Sequence, residues 1–469
     1  MTFNSPDFLF FFFPVLLGFL ALPSRARTPF LLLASCIFYA YWSINFLCLL
    51  LALRGFDFLV VKRMAAASDF SRRRLYFALS LTANLGAFFV FKYLGFFSDT
   101  ISALVGHSII HFDLILPLGI SFYTFHALSY VFDVYDERME AETDFVTYCT
   151  YVTFFPQLVA GPIARARRLM PQFHREKHLL WENLVAGSYL IAKGYFMKVV
   201  IADSLGGYVD ARLSFVETHH PLAVLQAVYF YALQVYCDFG GYSNIARGVA
   251  KCFDFDLDVN FRAPYFSASL TEFWQRWHIS LTSWFRDYLF YPLTLSLGRR
   301  SRHLKHASLL ILFTLSGLWH GASWTFVFWG ALHGTYLTIG RFFAPKKVGR
   351  WIAEQVPRSL QILFTFHFIV FACVFFRAPT FAVARAIFIR ISLLAFHPLS
   401  QFEISVIYPK FVVLALLFLG FEWWEEKAEL YQRFCRAAWP IRAAALYAAI
   451  VAIALLSEIN PKTFLYLQF

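Results

Sequence analysis

The chain has 469 residues, 59% hydrophobic and only 15% charged, with a mean hydropathy of +0.58 and a formal net charge of +12 at pH 7. This excludes an ordinary soluble protein of several domains: apolar runs of spanning length recur from end to end, so the composition is that of one polytopic, all-α integral membrane domain over residues 1–469. Its lysines and arginines lie in short clusters between hydrophobic runs, which topology explains without nucleic acid, and its seven cysteines show no CxxC spacing, so neither a disulfide framework nor a metal site is expected.

The apolar stretch Phe8 to Leu22 has no basic flank and no small-residue cleavage site, and reads as a first helix rather than a removable signal. A single helix from Pro29 to Val61 would span roughly 50 Å against about 30 Å of hydrocarbon, so the chain must turn, most simply near Trp42-Ser43-Ile44-Asn45. Arg25 and Arg27 then share a side with Lys62, Arg63, Arg72, Arg73 and Arg74, which the positive-inside rule makes cytoplasmic, and the N-terminus faces out. Within this stretch Arg54 and Asp57, three apart, are placed to neutralise each other.

Helices near 75–97 and 114–132 return the chain to the side of Arg165, Arg167, Arg168, Arg175 and Lys177. Residues 145–161, with Phe155-Pro-Gln-Leu-Val-Ala-Gly-Pro162, suit a re-entrant or interfacial segment, as do 280–297 and 381–397. A helix near 183–202 exits to a loop at 203–220, and 222–239 re-enters. Residues 307–343 lie between two cytoplasmic clusters, Arg299, Arg300, Arg302 and Lys305 before and Lys346, Lys347 and Arg350 after, so they must form a hairpin. Its natural break is at Ser316-Gly317 to Gly321, where glycine tolerates irregular backbone beside a cavity. Helices near 359–376, 409–424 and 443–457 complete about eleven to twelve crossings, with Lys427, Arg433 and Arg436 inside and the C-terminal tail outside.

The hairpin contains Leu315-Ser-Gly-Leu-Trp-His320-Gly-Ala-Ser-Trp324. An imidazole in so apolar a segment costs several kcal/mol, on the order of membrane insertion scales, unless it lines a cavity. His320 is therefore the first site candidate, competent as a general base when neutral; packing between helices is the alternative. A second constellation, Thr271-Glu-Phe-Trp-Gln-Arg-Trp-His278-Ile-Ser, combines His278 with Arg276, a guanidinium suited to phosphate or carboxylate but also spaced to pair with Glu272. Its tryptophans, Trp274 and Trp277, with Trp284, read as interfacial anchors. In Tyr236-Cys-Asp238-Phe-Gly-Gly-Tyr-Ser-Asn244 and Asn260-Phe-Arg262, the polar residues read as structural, capping helices or pairing with Arg247 or Arg262. Walker, dinucleotide, HExxH and GxSxG signatures are absent, which disfavours ATP-driven transport, zinc proteolysis and serine hydrolysis.

Together, Phe154-Phe-Pro-Gln-Leu-Val-Ala-Gly-Pro-Ile, Tyr236-Cys-Asp-Phe-Gly-Gly-Tyr-Ser, Phe273-Trp-Gln-Arg-Trp-His-Ile-Ser-Leu and Leu318-Trp-His-Gly-Ala-Ser-Trp resemble the membrane-bound O-acyltransferase family, and within it the bacterial branch that acetylates alginate. The resemblance implies a multi-pass protein of the bacterial inner membrane, in contact with membrane lipids, that takes acetyl from a cytoplasmic thioester, acetyl-CoA, and passes it outward to a cell-envelope exopolysaccharide. It implies no metal, and as partner a separate SGNH-hydrolase-like periplasmic acetyltransferase. It makes His320 catalytic and His278 the second important histidine, with Arg276 and Trp274 on the donor side; the charge-based topology sets the two histidines on opposite halves of the membrane. His126 is assigned no role, and His333, in Ala331-Leu-His-Gly334, is typical of the branch without a stated function. The competing readings are a lipid-linked glycan flippase and a relative that uses a carrier-protein thioester such as D-alanyl.

Overall fold

Helix follows helix throughout the computed structural model, which describes residues 1–178, 180–300, 302–344, 346–396, 408–457 and 464–465; no strand occurs among them. The chain divides into two compact units, Met1–Ile191 with Tyr242–Val259, and Ala192–Gly241 with Asn260–Phe469. The protein is an all-α polytopic membrane protein: six helices, Ile44–Ala66, Phe70–Val105, Trp181–Leu213, Pro221–Cys252, Arg358–Arg377 and Trp439–Leu456, are each long and apolar enough to cross a bilayer. Other expected crossings fall on shorter helices, such as Pro6–Ala21 and Ile120–Tyr135, whose 16 residues each reach about 24 Å along the axis.

The first unit opens with α1 (Pro6–Ala21), α2 (Ser24–Ala40), α3 (Ile44–Ala66) and α4 (Phe70–Val105). The expected turn between α2 and α3 falls at 41–43, where Ser43 caps α3 by accepting from the Phe46 amide. Arg54 and Asp57 do pair, at 3.2 Å and wholly buried. Two further groups, not foreseen, complete the pair from α4: Asn84 accepts from Arg54 at 2.7 Å and donates to Asp57 at 2.8 Å, and Ser80 donates to Asp57 at 2.6 Å. Hydrogen bonds to the remaining lone pairs and protons of a buried ion pair offset part of its desolvation, and here they come from α4, so this polar knot ties α3 to α4. The unit continues with α5 (Ile120–Tyr135), α6 (Phe145–Thr153), α7 (Phe155–Leu158) and α8 (Ala166–Phe173). The proline- and glycine-containing run at 155–165 is buried throughout. Gln157 is turned inward to donate to the Tyr151 carbonyl at 2.7 Å.

In the second unit the loop expected from residue 203 is instead helix. After α9 (Trp181–Tyr195) a π-helical turn, Phe196–Ala202, leads into α10 (Asp203–Leu213). The reason is electrostatic: buried Lys198 donates to Asp203 at 2.8 Å and to Asp238 of α11 (Pro221–Cys252) at 2.6 Å, so helical backbone is needed to hold Asp203 beside it. Asp238 thus pairs with a lysine on another helix, not with Arg247 or Arg262. The Gly-Gly pair that follows lets α11 approach, since a Cβ on Gly241 would lie 2.9 Å from the Lys198 backbone nitrogen.

Next come α12 (Leu270–Arg276), α13 (Ile279–Phe285), a π-helical turn at Arg286–Phe290, α14 (Tyr291–Arg300), α15 (Arg302–His320) and α16 (Trp324–Phe343). The expected hairpin is α15 and α16, with its turn at 321–323. Gly317 is not the break: it lies inside α15, and a Cβ there would meet the Phe326 carbonyl oxygen at 2.2 Å. A Cβ on Gly330 would come 2.1 Å from the Phe313 carbonyl, and one on Gly334 2.9 Å from the Leu310 Cα. These glycines bring two helix backbones together, as small residues do between membrane helices. The rest is α17 (Lys347–Gln355), α18 (Arg358–Arg377), α19 (Phe381–Ser392), α20 (Pro409–Ala428), α21 (Leu430–Arg436) and α22 (Trp439–Leu456). The end of the expected segment 381–397, and nearly all of the C-terminal tail, lie outside the described residues. No part of the apolar window of α22 is buried in the protein, which leaves it to lipid.

Glycine packing is tested by a pair of substitutions. Gly330→Ala should destabilise the detergent-solubilised protein by about 1–3 kcal/mol through overpacking, seen as a lower unfolding temperature. Gly55→Ala, in α3 with nothing within 4 Å of the new methyl, should leave it unchanged or raise it by up to roughly 1 kcal/mol.

Candidate active site

His320 is the last residue of α15, placed there by the glycine seam, and is 3% exposed. Its ring is walled by Trp319 at 4.9 Å, Trp329 of α16 at 5.2 Å and Phe376 of α18 at 5.3 Å between centroids. Trp329 and Phe376 carry no sequence signal of their own; spacing along one helix does not say what a third helix brings.

His278 stands between α12 and α13 with φ 42° and ψ 52°, a left-handed conformation that costs a non-glycine residue about 1–3 kcal/mol. Asn260 holds it there. The Asn260 carbonyl accepts from the Ile279 amide at 2.9 Å, and its side-chain oxygen accepts from the Ser280 amide at 3.2 Å and hydroxyl at 2.9 Å. The same oxygen lies 3.1 Å from His278 Nδ1, which must therefore carry the hydrogen, leaving Nε2 as the acceptor nitrogen. Complete burial lowers the His278 pKa to about 3, so the ring is neutral at pH 7. Asn260, expected to cap a helix or pair with Arg262, instead sets the geometry and tautomer of a candidate catalytic ring.

One indole joins the two histidines. Trp319 contacts both: its ring centroid is 6.0 Å from that of His278 and 4.9 Å from that of His320. They share one aromatic cluster within the second unit, because α12 packs Trp274 against the hairpin. Trp274, Trp277 and Trp284 are likewise not interfacial anchors but 5%, 7% and 2% exposed.

Beside this cluster is a largely apolar cavity of about 760 Å³. Trp274, Phe313, Ser316 and Leu337 form part of its wall, and Arg286 and Arg341 bring positive charge to it. Ser316 is one helical turn before His320, so the cavity reaches to within a turn of that ring. Of the two donor-side candidates, Trp274 lines the cavity. Arg276 does not: it pairs with Glu426 at 2.7 Å and with Glu272 at 3.1 Å, the second being the helical pair its spacing allows. Glu272 in turn holds Arg358 at 2.8 Å. Among the described residues no group of three or more His, Cys, Asp or Glu side chains gathers to hold a metal ion.

Fold and site together define a polytopic membrane protein with a histidine pair packed beside a cavity large enough for a small-molecule donor. The chain belongs to the membrane-bound O-acyltransferase family, whose pattern it matches over residues 140–383, a span that contains both histidines and the whole cavity wall. It is 38% identical over 394 residues to the probable alginate O-acetylase AlgI of Azotobacter vinelandii, covering 82% of this chain and 76% of that protein. With the peptidoglycan O-acetyltransferase of Helicobacter pylori it shares 33% over 411 residues, 81% of this chain and 77% of the relative. With the teichoic acid D-alanyltransferase of Bacillus subtilis it shares 28% over 282 residues, 57% and 70% respectively. The protein is an O-acyltransferase.

Asn260→Ala should lower acyl transfer roughly tenfold or more, on the order of the loss seen when a histidine's supporting partner is removed, while the protein is still recovered from the membrane. Transfer of labelled acyl groups by membranes of equal protein content measures this.

Proposed function

We propose that this enzyme moves an acetyl group from acetyl-CoA, supplied at the cytoplasmic face of the bacterial inner membrane, toward O-acetylation of a cell-envelope exopolysaccharide, alginate or a polymer like it. The observation that carries the reading is the cavity beside the histidine pair: its wall reaches one turn short of His320, and Arg341 stands on it where a phosphorylated donor needs a cation. Arg341 takes the donor role that spacing gave to Arg276, whose charge is already matched by carboxylates; Arg286 on the same wall is paired with Asp287 at 2.9 Å.

His320 acts as general base or proton shuttle. As it withdraws the proton from an acceptor hydroxyl, the alcohol oxygen bonds to the thioester carbonyl carbon. The carbon–sulfur bond then breaks, and the thiol leaves with the proton the imidazole had held. His278, neutral and fixed in one tautomer, supports this step from the far side of Trp319. Delivery to the polymer falls to a separate SGNH-hydrolase-like periplasmic partner. The similarity to a D-alanyltransferase favours a second reading, in which the thioester rides on a carrier protein; the chemistry at His320 is the same.

The decisive experiment combines the purified chain, radiolabelled acetyl-CoA and the periplasmic partner. His320→Ala should reduce acetyl transfer by about 10²–10⁴-fold at unchanged protein level in the membrane, and normal transfer by this variant refutes the assignment. Arg341→Glu should raise the KM for acetyl-CoA severalfold with little change in kcat, since it removes binding common to ground and transition states.

A further inference from the structure

His333 is a buried ionisable group to which the mechanism above gives no task. It is 1% exposed on α16, and neither of its ring nitrogens has a hydrogen-bond partner. Two neighbouring indoles are in the same condition: Trp274 Nε1 and Trp329 Nε1 are buried and unpaired. The three rings touch, with His333 5.4 Å from Trp274 and 4.7 Å from Trp329, and Trp274 5.9 Å from Trp329, between centroids. A buried polar group left unmatched has lost its hydration without replacement, so a cluster of them marks a place where a polar ligand supplies the missing partners.

The helix registers place this cluster on the way from the cavity to His320. On α15 the cavity-lining residues Leu309, Leu312, Phe313 and Ser316 recur at three and four, and the next position of that stripe is His320. On α16 the stripe Ala344, Arg341 and Leu337 leads, four residues further in, to His333. Gly334 packs against Leu310 and Gly330 against Phe313 and Gly317, so His333 stands level with the cavity wall and Trp329, further along α16, is level with Gly317 and nearer His320. Trp274 joins the cavity wall to His333, and Trp329 joins His333 to His320.

We propose that His333, with the indole N–H groups of Trp274 and Trp329, forms a collar that hydrogen-bonds the amides of the donor's pantetheine arm and so guides the thioester from the cavity to His320. The inference rests on the donor reading above. A pantetheine arm carries two secondary amides on a thin, flexible chain. The two indoles donate to its carbonyl oxygens, and the imidazole accepts from an amide N–H while its other nitrogen donates. Coenzyme A and acyl carrier proteins share this arm, so the collar serves either donor.

The test is binding to the full chain in lipid nanodiscs, read by tryptophan fluorescence and confirmed by calorimetry. The probes are acetyl-CoA, S-acetylpantetheine, an acetylated acyl carrier protein, and the adenosine bisphosphate portion of the coenzyme, which has no arm. His333→Phe should weaken the arm-bearing ligands that wild type binds by about tenfold, the equivalent of one lost hydrogen bond at roughly 1.4 kcal/mol. Affinity for the armless nucleotide and the unfolding temperature should stay unchanged. His333→Gln, which keeps a donor and an acceptor, should recover most of the loss, and Trp329→Phe should reproduce the pattern of His333→Phe. Wild-type affinity for S-acetylpantetheine in His333→Phe, or an equal loss for the armless nucleotide, overturns the collar while leaving the donor reading intact. A wild-type protein that binds no pantetheine thioester overturns both.

Discussion

The close approach of α15 to α16 is the constraint on which the site depends. At Gly317 and Gly330 any side chain would drive a Cβ to about 2 Å from a carbonyl oxygen of the facing helix. Only hydrogen in place of a side chain permits that approach. Each helix carries the same local pattern, Gly317-Leu-Trp-His320-Gly321 and Gly330-Ala-Leu-His333-Gly334. Because glycines four apart share a face, the pattern sets each histidine beside the helix–helix seam. The hairpin thus does two things at once: it packs without bulky side chains, and it brings two imidazoles to the same aromatic column. Trp274 from α12 and Phe376 from α18 then close that column from outside the hairpin.

Charge buried elsewhere is paired and braced. Arg54 and Asp57 are wrapped by Ser80 and Asn84 in the first unit, and Lys198 is held by Asp203 and Asp238 in the second. Lys193 pairs with Glu422 at 2.7 Å, and Glu422 also accepts from the Tyr236 hydroxyl. In each case the charges come from different helices or are braced by one, so a group too expensive to bury alone becomes a tie between segments. Around His333 the arrangement differs: three polar rings from two helices pack together with their nitrogens unpaired.

His278 shows a different use of strain. Its left-handed backbone turns the chain sharply between α12 and α13, so that the ring faces the hairpin while Arg276, two residues earlier, points to carboxylates on α20 and on its own helix. Two residues of one motif therefore serve different ends, one packed against the hairpin's Trp319 and one in a surface ion network. Asn260, 18 residues upstream, makes that turn possible by gathering the Ile279 amide, the Ser280 amide and hydroxyl, and the imidazole.

Much of this was written into the sequence. Hydrophobic length set the helical, membrane-spanning character, and the mismatch between apolar run and bilayer thickness located a turn near Trp42-Ser43-Ile44-Asn45, within a residue or two of where it falls. The run of charge on either side of 307–343 required a hairpin, and the rarity of an imidazole in such a segment singled out His320. These features are local, fixed by transfer free energies and by the rise per residue of a helix. The tertiary structure alone decided that Gly317 is a packing residue inside a helix, that helix rather than loop follows residue 203, and that Arg276 faces carboxylates while Arg286 and Arg341 face the cavity. It also decided that His278 and His320 share Trp319. Each of these depends on which distant side chain supplies a charge, a hydrogen bond or a space, and such partners are chosen by packing in three dimensions, not by spacing along the chain.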